Sequence, residues 1–531
     1  MLYQSTRGSG KRLTAAEAIT QGLAEDGGLF VPESIPKVTE KTINDLCAMP
    51  YSGRAAHIMG PFLDDFSSEE LSRCTFDAYS DENFDHPAIA PLHKLENNTY
   101  FLELWHGPTC AFKDMALQVM PRLLTASLLK TGDRRRVCVL VATSGDTGKA
   151  ALEGFRDVPG TSIMVFYPRD GVSEVQKLQM TSQSGENVNV VAVEGNFDDA
   201  QTGVKAIFTN ESLRRELNEL GYFLSSANSI NWGRLAPQIA YYFSAYCDLL
   251  GAGEIQPGEK INFCVPTGNF GNILAAYYAA EMGLPVKKLI CASNSNDVLT
   301  QFMNTGVYDR NRPFYTTSSP SMDILISSNL ERLLFNLAGK DGDTVKELMT
   351  ALSSEGRYEI PDKARIEAIR VFTGGRCSEE STMNTIADVF SRYDYLIDTH
   401  TAVAYRVLSD YRDFTGDNAP SVVVSTASPF KFSESVLSAL EGMGAVSGAG
   451  PAVTQTDTSG LGLTGTQTDT SGAGPAGMQT DTSGHGLTDT LSEVTGIAIP
   501  GPILALKGKK PRFTDEVAPA GMKDAVLGFL K

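Results

Sequence analysis

From Val137 onward, short β-branched runs alternate with segments of helical period, and this alternation restricts the fold more than any other feature of the chain. VCVLVAT precedes GKAALEGF, SIMVFY precedes SEVQKLQM, VNVVAV precedes DDAQTGVKAIF, and INFCVP precedes NILAAYYAAEMG. Strands and helices in strict alternation predict an α/β fold whose mostly parallel sheet is covered on both faces. Ligands in such folds lie beyond the carboxyl ends of the strands. Residues up to 95 carry several short helical stretches and the turn-rich EDGGLFVPESIP, and read as a smaller N-terminal domain.

The chain has 531 residues, enough for a large buried core, and its 42% hydrophobic and 20% charged residues exclude a globally disordered protein. A net charge of −18 opposes a nonspecific grip on nucleic acid or on an anionic membrane surface. An anionic ligand must therefore meet a locally positive site. The cysteines (47, 74, 110, 138, 247, 264, 291 and 377) contain no CxxC pair and read as reduced core residues of a cytoplasmic protein. The opening residues MLYQSTRGSGKRLTAAEAITQGL show no apolar signal-peptide region, and no run of about 18 apolar residues predicts a membrane span.

One stretch departs from this composition. QTDTSG begins at Gln455, Gln467 and Gln479, and between Pro451 and Thr490 there is no Lys, Arg or aromatic residue. Such a repeat offers no apolar face to stack and fits no calcium-binding β-helix spacing, so residues 444–490 are expected to be a flexible surface insertion. The expected organisation is an N-terminal domain over 1–95, a two-lobed domain over 96–443, the insertion over 444–490, and a return segment over 491–531.

Glycine-rich junctions between strand and helix carry the chemistry. In VATSGDTGKAA, Ser144, Gly145, Asp146, Thr147 and Gly148 put amides and hydroxyls at a positive helix end, as an anion cradle or as an ordinary tight turn. The spacing excludes a P-loop. In FCVPTGNFGNILAAYY, Gly268, Asn269, Phe270, Gly271 and Asn272 join a buried strand to a helix whose first N–H groups suit a phosphate, and no GxGxxG supports dinucleotide binding. In SVVVSTASPFKFSESV, Thr426 is either a cap or a hydroxyl presented to a ligand heteroatom. In LELWHGPTCAFKDMALQVM, Lys113 lies among Cys110, Ala111, Phe112 and Met115, and apolar surroundings disfavour its charged form, the condition for amine nucleophilicity.

A lysine, an SG(D/N)T loop, a GNFGN loop and a strand-end threonine in this order resemble the pyridoxal-phosphate enzymes of the tryptophan-synthase β type. The blocks HGPTCAFKD, ATSGDTGKAA, SSANSINWGRLAPQ, PTGNFGNILAAYYA, SPSMDILISSNLERLLF and STASPFKF are similar to the threonine synthase family, in its longer form with an N-terminal domain. The resemblance covers nearly the whole chain outside the repeat. It implies pyridoxal-phosphate fold type II, two doubly wound lobes plus the N-terminal domain, and the cofactor pyridoxal 5'-phosphate held between the lobes.

By the same resemblance, Lys113 is the Schiff-base lysine. Gly268, Asn269, Phe270, Gly271 and Asn272 hold the cofactor phosphate, Thr426 meets the pyridine nitrogen, and Asp146 turns toward the cofactor hydroxyl or caps its helix. Ser144 and Thr147 receive the substrate carboxylate, and Arg234 with Thr147, Ser229 and Asn231 clamps the substrate phosphate, a guanidinium fork suiting a phosphate dianion. The implied reaction takes O-phosphohomoserine to threonine. The alternatives are a threonine-synthase-like phospholyase, which would release 2-oxobutyrate and ammonia, and a noncatalytic binding protein that has kept the fold. The expected state is a monomer or homodimer without nucleic-acid or membrane partners and without a metal. Ser428 stands where many relatives carry histidine. His106 and His400 are read as structural, since the histidines form no metal-ligand spacing.

Overall fold

A computed structural model describes residues 1–143, 145–169, 172–442 and 484–531. Its strands run in chain order β1 (Tyr3–Ser5), β2 (Phe30–Pro32), β3 (Leu92–Lys94), β4 (Thr99–Glu103), β5 (Arg136–Ala142), β6 (Thr161–Pro168), β7 (Val188–Val193), β8 (Tyr222–Ser226), β9 (Ile261–Pro266), β10 (Val286–Ser293), β11 (Val307–Asp309), β12 (Arg357–Glu359), β13 (Phe372–Arg376), β14 (Ser421–Ser425) and β15 (Glu516–Val517). Two larger sheets divide most of them. One has six strands in the order β13-β10-β9-β14-β4-β3, and the other has five in the order β15-β7-β6-β5-β8. Pairing is parallel throughout both, apart from the antiparallel β3–β4 hairpin.

The β-branched runs become central strands because every residue of β6 and β9 is buried, as parallel strands with helices on both faces require. The helices expected between them are present as Asp146–Phe155, Glu174–Thr181, Phe197–Thr209 and Gly271–Met282. Two sheets rather than one follow from the chain order. β14 comes late in the chain yet inserts between β9 and β4, which puts Thr426, just after β14, beside the loop that follows β4 and carries Lys113.

The N-terminal region closes on the larger body through charge and aromatic packing. Arg7 makes a two-pronged contact with Glu331, donating from Nε at 2.9 Å and from Nη2 at 2.8 Å. The buried Arg332 guanidinium reaches the Phe30 carbonyl at 3.0 Å, and the fully buried Trp232 ring packs 5.3 Å from Tyr3 and 5.5 Å from Phe62. Two capping boxes, Thr14 with Glu17 and Ser67 with Glu70, begin helices in this region.

The domain limits differ from those read in the sequence. Leu92–Lys94 already belongs to the six-stranded sheet, so a division after residue 95 cuts a hairpin. The helix Gly484–Thr495 runs across the expected limit at 490, packing Leu491 in the core, and β15 of the return segment completes the five-stranded sheet beside β7. The QTDTSG repeat itself otherwise lies outside the described residues.

The short helix Asp114–Leu117, which follows Lys113, is held against the helix Asp146–Phe155 by direct backbone contact. A Cβ on Gly154 would lie 2.0 Å from the Leu117 carbonyl oxygen. Gly154→Ala is therefore expected to destabilise the protein by roughly 3 kcal/mol or more and to lower its melting midpoint by several degrees. Gly528→Ala has open space in the helix Met522–Leu530 and should instead stabilise by about 0.5 kcal/mol. Thermal unfolding followed by circular dichroism checks both signs.

Candidate active site

The loops at the carboxyl ends of both sheets line one cleft of about 1720 Å³. Its floor is a backbone zipper. Phe112 N–H donates to the Thr426 carbonyl at 2.8 Å, Ser428 N–H donates to the Cys110 carbonyl at 3.1 Å, and Ala111 bridges Ala427. Cys110 takes a left-handed φ of 56° at the bend. Asp114 ties the same loop from the other side, accepting from Thr109 N–H at 2.8 Å and from Thr109 Oγ1 at 2.7 Å. Burial pushes the Asp114 carboxyl up to about 6.

Lys113 is thereby fixed at the cleft with only 7% of its surface exposed. Its Nζ lies 3.3 Å from Asp146 Oδ2 and 3.3 Å from Ser321 Oγ, and 4.5 Å from the Phe112 ring. Burial lowers the lysine from its ordinary value, with Arg234 and Lys431 pushing the same way and Asp146 opposing. Burial alone would raise Asp146, but Lys431 and Lys113 outweigh it and hold the carboxylate well below its usual range. Gln176 Nε2 donates to Asp146 Oδ1 at 2.7 Å.

The glycine–asparagine loop faces this lysine. Phe270, at φ 64°, caps the helix Gly271–Met282, whose first N–H groups have no intrahelical acceptor. Asn272 Oδ1 accepts from the hydroxyls of Tyr241 and Tyr242, while its buried Nδ2 has no partner within the protein. Buried polar groups are rarely left so. Gly268 is needed for a close approach, because a Cβ there would sit 2.3 Å from the Ser321 carbonyl oxygen. Asn269 is exposed and offers its carbonyl to Asn329, whose Nδ2 also reaches Ser229 Oγ at 2.9 Å.

Arg234, which lines the same cleft, is 5% exposed, and burial pushes its guanidinium down to about 10. Nη1 donates to the Ala227 carbonyl at 2.7 Å, Nη2 lies 3.5 Å from Thr147 Oγ1, and Nε has no partner. Among the described residues no carboxylate pairs with it. A buried cation in that condition is a standing anion site.

Lys113, Asp146, Thr147, Ser229, Arg234, the Gly268–Asn272 loop and Thr426 thus share one cleft. Asn231 does not join them. Its Nδ2 donates to the Ile19 and Ser226 carbonyls and its Oδ1 caps the helix Trp232–Gly251 at Gly233 N–H, so the amide expected to hold substrate phosphate is spent on tethering the N-terminal region. Ser144 lies outside the described residues. Ser428 is a buried cap of the turn Pro429–Phe432.

Sequence reasoning missed four contributors. Lys431 is fully buried and pairs with Asp146 Oδ1 at 2.8 Å. Gln176 and Asn329 hold Asp146 and the phosphate-type loop. His400, read as merely structural, accepts from Ser321 N–H at Nε2 across 3.2 Å while its Nδ1 meets Asp398 at 2.8 Å, so it fixes the strap Pro320–Met322 over the lysine. A lysine in the quoted SPFKF block was the only available signal for Lys431.

Comparison with known proteins places the chain in a family. Residues 2–79 match the model described as threonine synthase N terminus, 84–427 that of pyridoxal-phosphate dependent enzymes, and 401–456 that of threonine synthase, C-terminal. The chain is 43% identical over 439 residues to threonine synthase from Pseudomonas aeruginosa, covering 82% of this chain and 90% of that protein. It is also 43% identical over 437 residues to human threonine synthase-like 1, covering 80% of this chain and 58% of that protein. The crystal structure of pyridoxal-phosphate-bound threonine synthase from Brucella melitensis superposes with a TM-score of 0.81 at 35% identity, covering 100% of both chains.

The partnerless Asn272 Nδ2 yields a sharp expectation. Asn272→Asp keeps an oxygen acceptor for both tyrosines but replaces the donor with an anion. It is expected to leave the melting midpoint within a few degrees and to weaken binding of a phosphate-bearing ligand at least tenfold, about 1.4 kcal/mol, by equilibrium titration.

Proposed function

The chain belongs to the threonine synthase family of pyridoxal-phosphate-dependent enzymes, and from that membership we propose that it converts O-phospho-L-homoserine and water to L-threonine and phosphate. The observation that carries the reading is the pairing of two anion sites in one cleft with a buried amine: the partnerless Asn272 at a helix start and Arg234, without a carboxylate partner among the described residues, share the cleft with Lys113. A substrate with one phosphate and a cofactor with another need both.

The residues fit the cofactor. A phosphate tail would be held by the Gly268–Asn272 loop and the first amides of the helix Gly271–Met282, and Asn272 Nδ2 would gain the acceptor it lacks. Thr426 would face the ring nitrogen with a neutral hydroxyl, and Lys113 would form the covalent link. When bound, pyridoxal phosphate supplies an electron sink for negative charge at the substrate Cα.

The chain's own groups do the rest. Lys113 Nζ, disfavoured as an ammonium by burial, accepts the protons that leave Cα and Cβ; one proton goes to Cγ, which loses phosphate and becomes a methyl group, the hydroxyl of water takes the vacated place at Cβ, and one proton returns to Cα. Arg234 and Thr147 hold the substrate phosphate before and after it departs, and Ser229 stands beside them on its bond from Asn329. Ser321 Oγ on the strap accepts from Lys113 Nζ at 3.3 Å and helps to orient it. Free thiols at all the cysteines support a cytoplasmic setting, and among the described residues no helix is long and apolar enough to cross a membrane. We retain a monomer or homodimer as the assembly.

The test supplies purified protein with O-phosphohomoserine and measures threonine and phosphate together. Equal yields are expected; 2-oxobutyrate and ammonia without threonine would replace this reading with the phospholyase one. Arg234→Gln is expected to raise KM for that substrate roughly 10- to 100-fold and to abolish product inhibition by inorganic phosphate, because a charge-assisted contact is lost.

A further inference from the structure

Lys431 sits at the third position of the turn Pro429–Phe432, with none of its surface exposed. Its ammonium has three partners: Asp146 Oδ1 at 2.8 Å, the Thr109 carbonyl at 2.8 Å and Gln179 Oε1 at 3.1 Å. A lysine is almost never fully buried unless paired, so this one exists for the carboxylate it meets. That carboxylate is shared, since Oδ2 of the same Asp146 faces Lys113.

We propose that Lys431 is a positioning residue for the amine in the cleft: it takes up Asp146 Oδ1 and much of the carboxylate's charge, leaving Lys113 a partner that orients its nitrogen without holding it as an ammonium. If Asp146 faced Lys113 alone, the two would form a buried ion pair at 3.3 Å and the amine would be kept protonated. With Lys431 present, two cations compete for one anion. The charged groups around Lys113 act together: Asp146 raises its proton affinity, while Lys431 and Arg234, from separate elements, lower it. Around Lys431 stand Asp146, Asp114 and the Cys110 thiol. The consequence for catalysis rests on the proposed role of Lys113, but the coupling between the two lysines belongs to the chain itself.

The experiment measures how fast trace acetic anhydride labels Lys113 in the full-length chain freed of cofactor, as a function of pH, with the labelled peptide quantified by mass spectrometry. Lys431→Met is expected to raise the labelling midpoint by about one pH unit, so that Lys113 reacts about tenfold more slowly near neutral pH. Lys431→Arg should restore the rate to within about twofold. Asp146→Asn combined with Lys431→Met removes both charges and should show no rise. A Lys431 that only supports the fold would shift the melting midpoint and leave the labelling midpoint unmoved, and that result overturns the proposal, as does a rise in the double variant equal to that in the single one. Should Lys431→Met fail to fold, Asp146→Asn alone is compared with the double variant. The proposal requires a lower midpoint when Lys431 is retained, and equal midpoints refute it. Borohydride reduction of the wild-type holoenzyme is a separate arm. Absence of a pyridoxyl group on Lys113 would sink the proposed function and leave the labelling result standing.

Discussion

An excess of buried positive charge governs the cleft. Arg234 lines it and the fully buried Lys431 lies behind Asp146, the carboxylate that meets both Lys431 and the Lys113 amine directly. This occurs in a chain whose formal charge is −18. Cations removed from water without matching anions are costly, so the cleft as built is complementary to ligands that bring negative charge with them. The helix start at Gly271 adds partial positive charge without adding a side chain. The local field therefore opposes the global one, as the overall acidity of the chain requires for any anionic substrate.

That charge is held in place by backbone geometry. The loop carrying Lys113 pairs with the residues after β14, and β14 lies between β4 and β9, so the lysine and Thr426 are fixed by the same ladder that builds the larger sheet. The N-terminal region contributes at a distance. Glu331 and Arg332 are taken by Arg7 and Phe30, and Arg332 also donates to Asn329, which in turn supports Asn269 and Ser229. Asn231 joins the same tether through Ile19. A segment that lends few side chains to the chemistry thus sets the position of residues that do.

Much of the fold was legible because alternation of β-branched runs with helical segments is a local signal, and β5, β6, β7 and β9 with their helices follow it directly. What was not legible depends on long-range insertion. Nothing local in SVVVS says that it will part β4 from β9, and nothing in HKLENNT says that residue 95 interrupts a hairpin. The site divides the same way. Gly268 to Asn272 and Lys113 stand out because glycine at a strand–helix junction and lysine among apolar neighbours carry a physical meaning in themselves. Lys431 and Gln176 matter only through what they touch across the chain, and Asn231, three residues before Arg234, is an asparagine that serves equally as a cap, the use the structure makes of it.

His400, read from the sequence as structural, shows how such indirect residues act. His400 Nε2 accepts the Ser321 N–H, so the imidazole proton must sit on Nδ1, where Asp398 Oδ2 receives it at 2.8 Å. Asp398 is itself spent as the cap of the helix Thr399–Thr415, accepting from the His400 and Thr401 amides, and cannot turn away. One carboxylate at a helix start therefore fixes a tautomer, the tautomer fixes the strap, and the strap presents Ser321 Oγ to Lys113 while the Ser321 carbonyl packs against Gly268, where no side chain could fit. The same device recurs at Asp146, in the first turn of its own helix, where a single carboxylate fixes two lysines. In both places a helix start holds an anion, and the anion sets the geometry of a group it does not react with.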